Sequence, residues 1–143
     1  MFEEILVPTD GSPAVEAALD EAMGFAEIAG ARVHALYVID TRDYNVLPES
    51  KWLSLEDELE AEGSAAVERV ADRACEGGLE ALTAVERGIP HKAILQYAEV
   101  HSIDLIVMAT HGRSGVDRFL LGSVTEKAIR RSDVPVLVVR YEG

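Results

Sequence analysis

Five short apolar runs, separated by longer segments with helical spacing of their apolar residues, constrain this chain most. The runs are Ile5–Val7, Val33–Ile39, Leu82–Val85, Leu105–Met108 and Val136–Val139. Continuous apolar runs are typical of parallel strands whose two faces are both covered by helices. The pattern therefore predicts one doubly wound α/β domain over residues 1–143, with a five-stranded parallel sheet of order 3-2-1-4-5 and helices on both faces.

Local signals place the helices between these runs. Ser12 and Pro13 predict an N-cap with proline in the first turn, and Gly30 predicts the end of that first helix. Residues 40–51 read as irregular, and a long second helix then runs to Gly77. The third helix follows a turn at 88–90, and the fourth is expected from Ser123 to about Arg131.

Composition excludes several classes of partner. The 143 residues carry a formal net charge of −13, which argues against nucleic-acid backbones and anionic membranes. Cys75 is the only cysteine, which excludes an internal disulfide and a zinc site built from cysteines. No apolar run reaches membrane-spanning length, and the acidic start does not resemble a secretory signal, so we expect a cytoplasmic protein. The acidic, lysine-poor composition favours adaptation to high salt, with an ordinary acidic protein as the alternative.

The glycine-bearing loop after the fourth run carries the functional signal. The segment Met108–Gly115 leaves an apolar strand, and Gly122 and Ser123 open a segment with helical spacing. Glycines let the backbone approach an anion closely, and the N–H groups at a helix start point towards it. The loop therefore predicts a phosphate-binding site for a nucleotide. It lacks the lysine of a P-loop, which excludes that class of ATPase.

These residues together resemble the universal stress protein family. The family pattern of Gly, two residues, Gly, nine residues and Gly followed by Ser or Thr falls on Ala109, Gly112, Gly122 and Ser123. The segments 7–12, 38–40 and 135–139 are similar to the family's first, second and last strands, so that the resemblance covers essentially the whole chain. The family has a branch that binds adenine nucleotides and a branch that does not bind ATP, and the near-complete glycine pattern resembles the binding branch. The resemblance therefore implies a homodimer in stress regulation that binds ATP or another adenine nucleotide, and it leaves open whether Mg²⁺ accompanies the phosphates.

The resemblance also implies roles for individual residues. Asp10 would accept hydrogen bonds from the nucleoside, and Val38 would offer backbone groups to the adenine edge. Gly112 and Gly122 would let backbone N–H groups face the phosphates, while Ser123 would cap the last helix and touch a phosphate oxygen. The dimer would form through the last strand, Val136, Leu137, Val138 and Val139. The complete set of predicted nucleotide-binding residues is Pro8, Thr9, Asp10, Val38, Met108, Ala109, Gly112, Arg113, Gly122, Ser123 and Val124.

Ala109 departs from the family pattern, which has glycine there. If the position needs a positive φ, alanine costs roughly 1–2 kcal/mol, whereas a requirement for a small side chain alone is compatible with alanine. Two other functions stay open beside the regulatory dimer. One is a slow ATPase or self-phosphorylating protein with Ser114 or Ser123 as acceptor, and the other is an interaction module that no longer binds nucleotide. No catalytic constellation and no metal-ligand spacing is evident.

Overall fold

The structure is a computed structural model that describes residues 2–44, 47–110 and 121–141. Its five strands form one parallel sheet in the order β3-β2-β1-β4-β5, which confirms the predicted fold class and strand order. The strands are β1 (Glu4–Pro8), β2 (Arg32–Asp40), β3 (Ala81–Gly88), β4 (Leu105–Ala109) and β5 (Val136–Val139). The helices are α1 (Pro13–Ala29), α2 (Glu49–Glu76), α3 (Pro90–Val100) and α4 (Ser123–Arg131), and a short 3-10 helix spans Thr41–Tyr44.

Strand β1 lies at the centre of the sheet and has a neighbour on each side. Ile5 pairs with Val33 of β2 and with Leu105 of β4, so that the chain reverses its winding direction between β1 and β4. In open α/β sheets, ligands bind beyond the carboxyl ends of the strands at such a reversal. The topology therefore identifies the edge of the sheet at which a ligand site is expected.

Alternating residues of the strands fill two hydrophobic layers. Ile5, Val7, Val107 and Ala109 face the layer under α1 and α2, whereas Leu6 and Ile106 face the layer under α3 and α4. The apolar faces of the helices are buried, since Leu19 of α1, Val70 of α2 and Ile94 of α3 are all at most 3% exposed. This double coverage explains why the strands are continuous apolar runs rather than alternating ones.

The helix ends follow the predicted glycines, and α1 has Ser12 at its N-cap with Pro13 next, as predicted, but the predicted start of α2 was wrong. Gly30 ends α1 in the left-handed conformation with φ 68°, and Gly77 follows the last residue of α2. Ser12 occupies the N-cap of α1 with Pro13 next, yet its side chain makes no capping hydrogen bond. The irregular segment ends before Glu49, because α2 begins there, so that residues 49–51 are helical.

A buried polar chain crosses the opposite end of the sheet. His34 is 2% exposed, and its ring nitrogens lie 2.6 Å from Glu4 Oε1 and 2.7 Å from the hydroxyl of Tyr97. Glu4 also accepts a hydrogen bond from Arg32, and the ring of His101 stacks on Tyr97. These partners satisfy the polar atoms of a histidine that would otherwise be costly to bury in a central strand.

No helix in the three described ranges is long and apolar enough to cross a membrane.

Candidate functional site

The candidate site lies where β1 and β4 end side by side. The predicted residues Pro8, Thr9 and Asp10 form the end of β1 and the turn after it, and Met108 and Ala109 end the neighbouring strand β4. Gly122, Ser123 and Val124 form the start of α4, which returns to this edge. The topology thus brings the carboxyl end of β1, the end of β4 and the start of α4 to one edge, as expected for a nucleotide site.

The turn after β1 is held by its own side chains. The hydroxyl of Thr9 accepts a hydrogen bond from the Gly11 N–H at 3.0 Å, and Asp10 Oδ1 accepts one from the Ser12 N–H at 2.9 Å. Gly11 has φ 78°, a conformation that glycine adopts without strain. Thr9 also joins the turn to β2, because its N–H donates to the Leu36 carbonyl at 2.8 Å. Asp10 is therefore oriented by the turn before it contacts any ligand.

Two hydrogen bonds fasten the start of α4 to the end of β4. The Gly122 N–H donates to the Thr110 carbonyl at 2.7 Å, and the buried Thr125 hydroxyl donates to the Ala109 carbonyl at 3.0 Å. This contact gives Thr125 a structural role. The prediction that Ser123 caps α4 was wrong, because Gly122 occupies the N-cap and Ser123 is the first helical residue. The N-cap residue Gly122 has no side chain, so that within the described residues no N-cap side chain accepts from the first-turn N–H groups of α4.

Thr110 links this edge to the last strand. Its N–H donates to the Val139 carbonyl at 3.0 Å, and its hydroxyl accepts a hydrogen bond from the Tyr141 N–H at 3.2 Å. The predicted set did not include Thr110, because its role depends on main-chain partners 12 to 31 residues away, which no local pattern reveals. The end of β4, the start of α4 and the end of β5 therefore share one connected hydrogen-bond network.

Four further predicted residues line the same region with differing exposure. Met108 is 6% exposed and belongs to the core layer under α3 and α4, which favours a core role for its side chain. Val38 and Val124 pack against that layer and are partly exposed, and Pro8 is also partly exposed at the end of β1. These positions agree with walls of a pocket, and Val38, whose side chain is apolar, can form hydrogen bonds only through its backbone.

Ala109 sits in ordinary strand geometry. Within the described ranges, Ser102 is the one non-glycine residue with a positive φ, so that alanine carries no left-handed strain at position 109. Its methyl group packs in the layer under α1 and α2, with 7% exposure. Of the two interpretations of this departure, the structure favours the requirement for a small side chain.

Several predicted residues cannot be placed. Gly112 and Arg113 lie outside the described residues, as does Ser114. The middle of the predicted phosphate loop therefore stays a prediction from sequence.

Charged groups near this edge are largely paired. Asp40, at the end of β2, accepts hydrogen bonds from Arg42 Nε at 2.9 Å and from Arg42 Nη2 at 2.7 Å. These hydrogen bonds hold the pKa of Asp40 below its usual range, although partial burial opposes the shift. No cluster of three or more histidine, cysteine or acidic side chains suited to a metal occurs in the part of the chain that the structure describes.

Ser12 lies at the predicted N-cap of α1, but its hydroxyl does not cap the helix. Its side chain is 4% exposed, and its hydroxyl is the one buried side-chain polar atom in the described ranges without a hydrogen-bond partner. Buried hydroxyls normally have a partner, so that this atom at the start of α1 is a candidate for contact with a bound water or ligand.

Comparisons with known proteins agree with this arrangement. The model of the universal stress protein family matches residues 1–140. Universal stress protein MJ0531 of Methanocaldococcus jannaschii is 38% identical over 141 residues, which cover 98% of this chain and 83% of that protein. The solved structure of MJ0577 from the same organism has a TM-score of 0.92 at 35% identity, covering 100% of this chain and 99% of that one.

A third relative bears on the ligand. The crystal structure of a universal stress protein in complex with cAMP has a TM-score of 0.70 and 26% identity, and the match covers 97% of both chains. That relative therefore binds an adenine nucleotide on the same fold. From the family match and these similarities, the chain belongs to the universal stress protein family.

Proposed function

We propose that this chain binds an adenine nucleotide, with ATP as the expected ligand, at the edge formed by the ends of β1 and β4 and the start of α4. The observation that carries the proposal is the start of α4, which has a glycine at its N-cap and is fastened to the end of β4 by the Gly122 and Thr125 hydrogen bonds. The relative in complex with cAMP supports an adenine nucleotide as the class of ligand.

The residues at this edge suit the two ends of a nucleotide. The N–H groups of Ser123 and Val124 in the first turn of α4 would donate to phosphate oxygens, where the helix dipole also favours negative charge. Asp10 would accept hydrogen bonds from the ribose, and the unpartnered Ser12 hydroxyl lies in the same turn. The backbone of Val38 would meet the adenine. Gly112 and Arg113 would complete the phosphate site from the loop.

Binding without rapid turnover is the role that these residues favour. The described edge holds one carboxylate that is fixed in a turn, Asp10, and one that is paired with arginine, Asp40. Neither is arranged as a base beside a nucleophile, which an activated hydroxyl or water needs. We therefore propose a regulatory protein of the stress response, in which the bound nucleotide changes the surface that is offered to a partner.

The same proposal includes a homodimer through β5. This strand lies at the edge of the sheet and pairs with β4 alone among the described strands, and all four of its residues are partly exposed. The Pro135 carbonyl accepts a hydrogen bond from Ile106 of β4, and the Val139 carbonyl accepts one from Thr110 just after it. In a parallel pair this leaves the backbone groups of Val136 and Val138 facing the open edge. A second copy of the strand can pair there about a two-fold axis.

The nucleotide proposal is tested by calorimetric titration of ATP into nucleotide-stripped protein, with and without Mg²⁺. We expect saturable binding that Gly122→Val abolishes, because the added side chain blocks close approach to the start of α4. Gly24→Val is the matched control, since a Cβ at Gly24 meets nothing within 4 Å. Absence of binding, or equal loss in both variants, would refute the proposed site.

A further inference from the structure

A groove of about 550 Å³ lies between α3 and the segment that follows α4. Its lining includes apolar side chains from both elements, among them Leu95, Ala98, Ile103 and Val134. Lys92 and Arg131 contribute cationic groups to the same lining, and Glu99 and Asp133 contribute carboxylates. None of the predicted nucleotide-binding residues lines this groove, so that it is separate from the site described above.

Arg131 is held in place by an unusual partner. Its Nη1 lies 3.1 Å from Nε2 of His91, which is 6% exposed at the start of α3. A guanidinium can only donate, so that this contact requires Nε2 to accept and the imidazole to be neutral. Burial lowers the pKa of His91, and the charges of Arg131, Lys127, Lys92 and Arg42 lower it further, which agrees with a neutral ring.

Three of the four cations around His91 lack carboxylate partners within the described residues, and the fourth, Arg42, pairs with Asp40. Lys92, Lys127 and Arg131 form no ion pair with any residue of the described chain, whereas Arg130, the neighbour of Arg131, pairs with Glu126 at 3.0 Å. Other arginines pair with carboxylates in the same way, namely Arg32, Arg42, Arg69, Arg73 and Arg87. With 26 acidic and 13 basic residues in the chain, three unpaired cations at one place are a departure from the rest of the surface.

The carboxylates of the groove do not remove this imbalance at its His91 end. Glu99 lies seven residues after Lys92 on α3, which is about 10 Å along the helix axis. Asp133 follows α4 and lies beyond ion-pair distance of Arg131. The charges that act on His91 are all positive.

We propose that this groove binds a small organic anion, with a phosphate or carboxylate head and a short apolar body. Arg131 and Lys92 contact the head, and the planar guanidinium that His91 orients provides two parallel donors for its oxygens. Leu95, Ile103 and Val134 contact the apolar body. The volume lies within the range of small-molecule sites, which favours such a ligand over a protein segment. The proposal does not depend on nucleotide binding.

The test is a titration of the ¹⁵N-labelled protein, followed by NMR, with four probes: inorganic phosphate, monohexyl phosphate, hexanoate and hexanol. We expect saturable amide shifts along α3 and at residues 131–134 with monohexyl phosphate or hexanoate. Inorganic phosphate should bind more weakly because it lacks the apolar body, and hexanol should bind more weakly because it lacks the charge. On saturation, the pKa of His91 should rise, since the bound anion offsets the surrounding cations.

Two variants distinguish specific binding of the anion in the groove from a general effect of positive charge. Arg131→Gln should weaken binding at least about tenfold, and Arg130→Gln, which removes the same charge one residue away, should change it less than about twofold. The proposal is overturned by the absence of saturable shifts, by equal effects of the two variants, or by hexanol binding as tightly as hexanoate. It is also overturned if a short polyglutamate peptide binds more tightly than the small anions in an Arg131-dependent way, because a protein partner would then be the ligand.

Discussion

The hydroxyl of Thr125 donates to the carbonyl of Ala109 at 3.0 Å, so that the first turn of α4 is fastened to the last residue of β4. Both residues are buried, at 5% and 7% exposure. Because this hydrogen bond joins the helix start to the strand end, it fixes the N–H groups at the start of α4 relative to the edge of the sheet. Preorganisation of this kind reduces the ordering cost of binding.

Removal of this hydrogen bond should loosen the proposed phosphate site. Thr125→Val keeps the shape of the side chain but leaves the Ala109 carbonyl without this donor, and we expect a loss of about 1–2 kcal/mol in the free energy of unfolding. ATP affinity should fall as well. Thr125→Ser keeps the hydroxyl and is the control. Urea denaturation and calorimetry measure the two effects, and equal behaviour of both variants would contradict the role of the hydroxyl.

Asp10 stabilises the turn after β1 and, in our proposal, also binds the ligand. Two substitutions separate these roles. Asp10→Asn keeps an oxygen that can accept from the Ser12 N–H, so that stability should stay within about 0.5 kcal/mol of the parent protein. Asp10→Ala loses that acceptor and should cost about 1 kcal/mol. Both should weaken ATP binding measured by calorimetry. Full ATP affinity in the stable Asp10→Ala protein would exclude Asp10 from the site.

Gly63 lets the middle of α2 approach the sheet. A Cβ at this position would lie 2.6 Å from Cδ1 of Tyr37, whose side chain is buried under the helix. Gly63→Ala should therefore destabilise the protein by about 1–3 kcal/mol, despite the better helix propensity of alanine. Gly24→Ala in α1 has open space and should instead stabilise by about 0.5–1 kcal/mol. Thermal unfolding of the two variants measures these changes. Stabilisation by both substitutions would contradict the close packing of Gly63 against Tyr37.

Acid should remove the contribution of the Glu4 carboxylate to the free energy of unfolding. Burial opposes its ionisation, but hydrogen bonds from His34 and Arg32 outweigh that effect and hold the pKa of Glu4 below its ordinary value of 4.5. A lowered folded-state pKa gives stability that is fully present above pH 4.5 and is lost as the pH falls through the folded value.

The variant Glu4→Gln removes this charge. At pH 7 it should be less stable than the parent by about 1 kcal/mol, which is the difference between a charged and a neutral acceptor. The gap should close as the pH falls below the pKa of Glu4. Urea titrations from pH 7 to pH 3 measure it, and a gap that is constant over this range would show that the charge is not responsible.

The proposed dimer depends on the open edge of β5. Val138 directs its N–H towards that edge, so that Val138→Pro should remove a donor for the second copy while β5 stays paired with β4. Light scattering should show a monomer for Val138→Pro and a dimer for Val138→Thr, which keeps the N–H. Circular dichroism checks that both variants fold. A dimer that persists in the folded proline variant would place the interface elsewhere.

The order and type of the elements could be predicted from sequence because each depends on nearby residues. Apolar runs with helices between them gave the parallel sheet, and Gly30 gave the end of α1 through its positive φ. Side-chain capping could not be predicted in the same way. Ser12 is at the N-cap as expected. Its N–H donates a hydrogen bond to the Asp10 carboxylate, but its hydroxyl is buried and has no hydrogen-bond partner.

Contacts between residues far apart in the sequence could not be predicted from local sequence patterns. His34 reads as a lone histidine in an apolar strand, and its partners Glu4 and Tyr97 are 30 and 63 residues away. His91 and Arg131 are in contact in the groove but are 40 positions apart in the sequence. No local sequence pattern around either residue predicts this contact. For the nucleotide site, the glycine pattern indicated the start of α4, and the roles of Gly112 and Arg113 stay predictions.

The central claim is tested most directly by titration of the ¹⁵N-labelled protein with ATP, with every assigned amide followed by NMR. We predict saturable shifts that are largest at residues 9–12, near Val38 and at residues 122–125, with smaller changes along α2 and β3. Saturable shifts centred on another surface would contradict the site, and the absence of shifts at saturating nucleotide concentration would contradict the function.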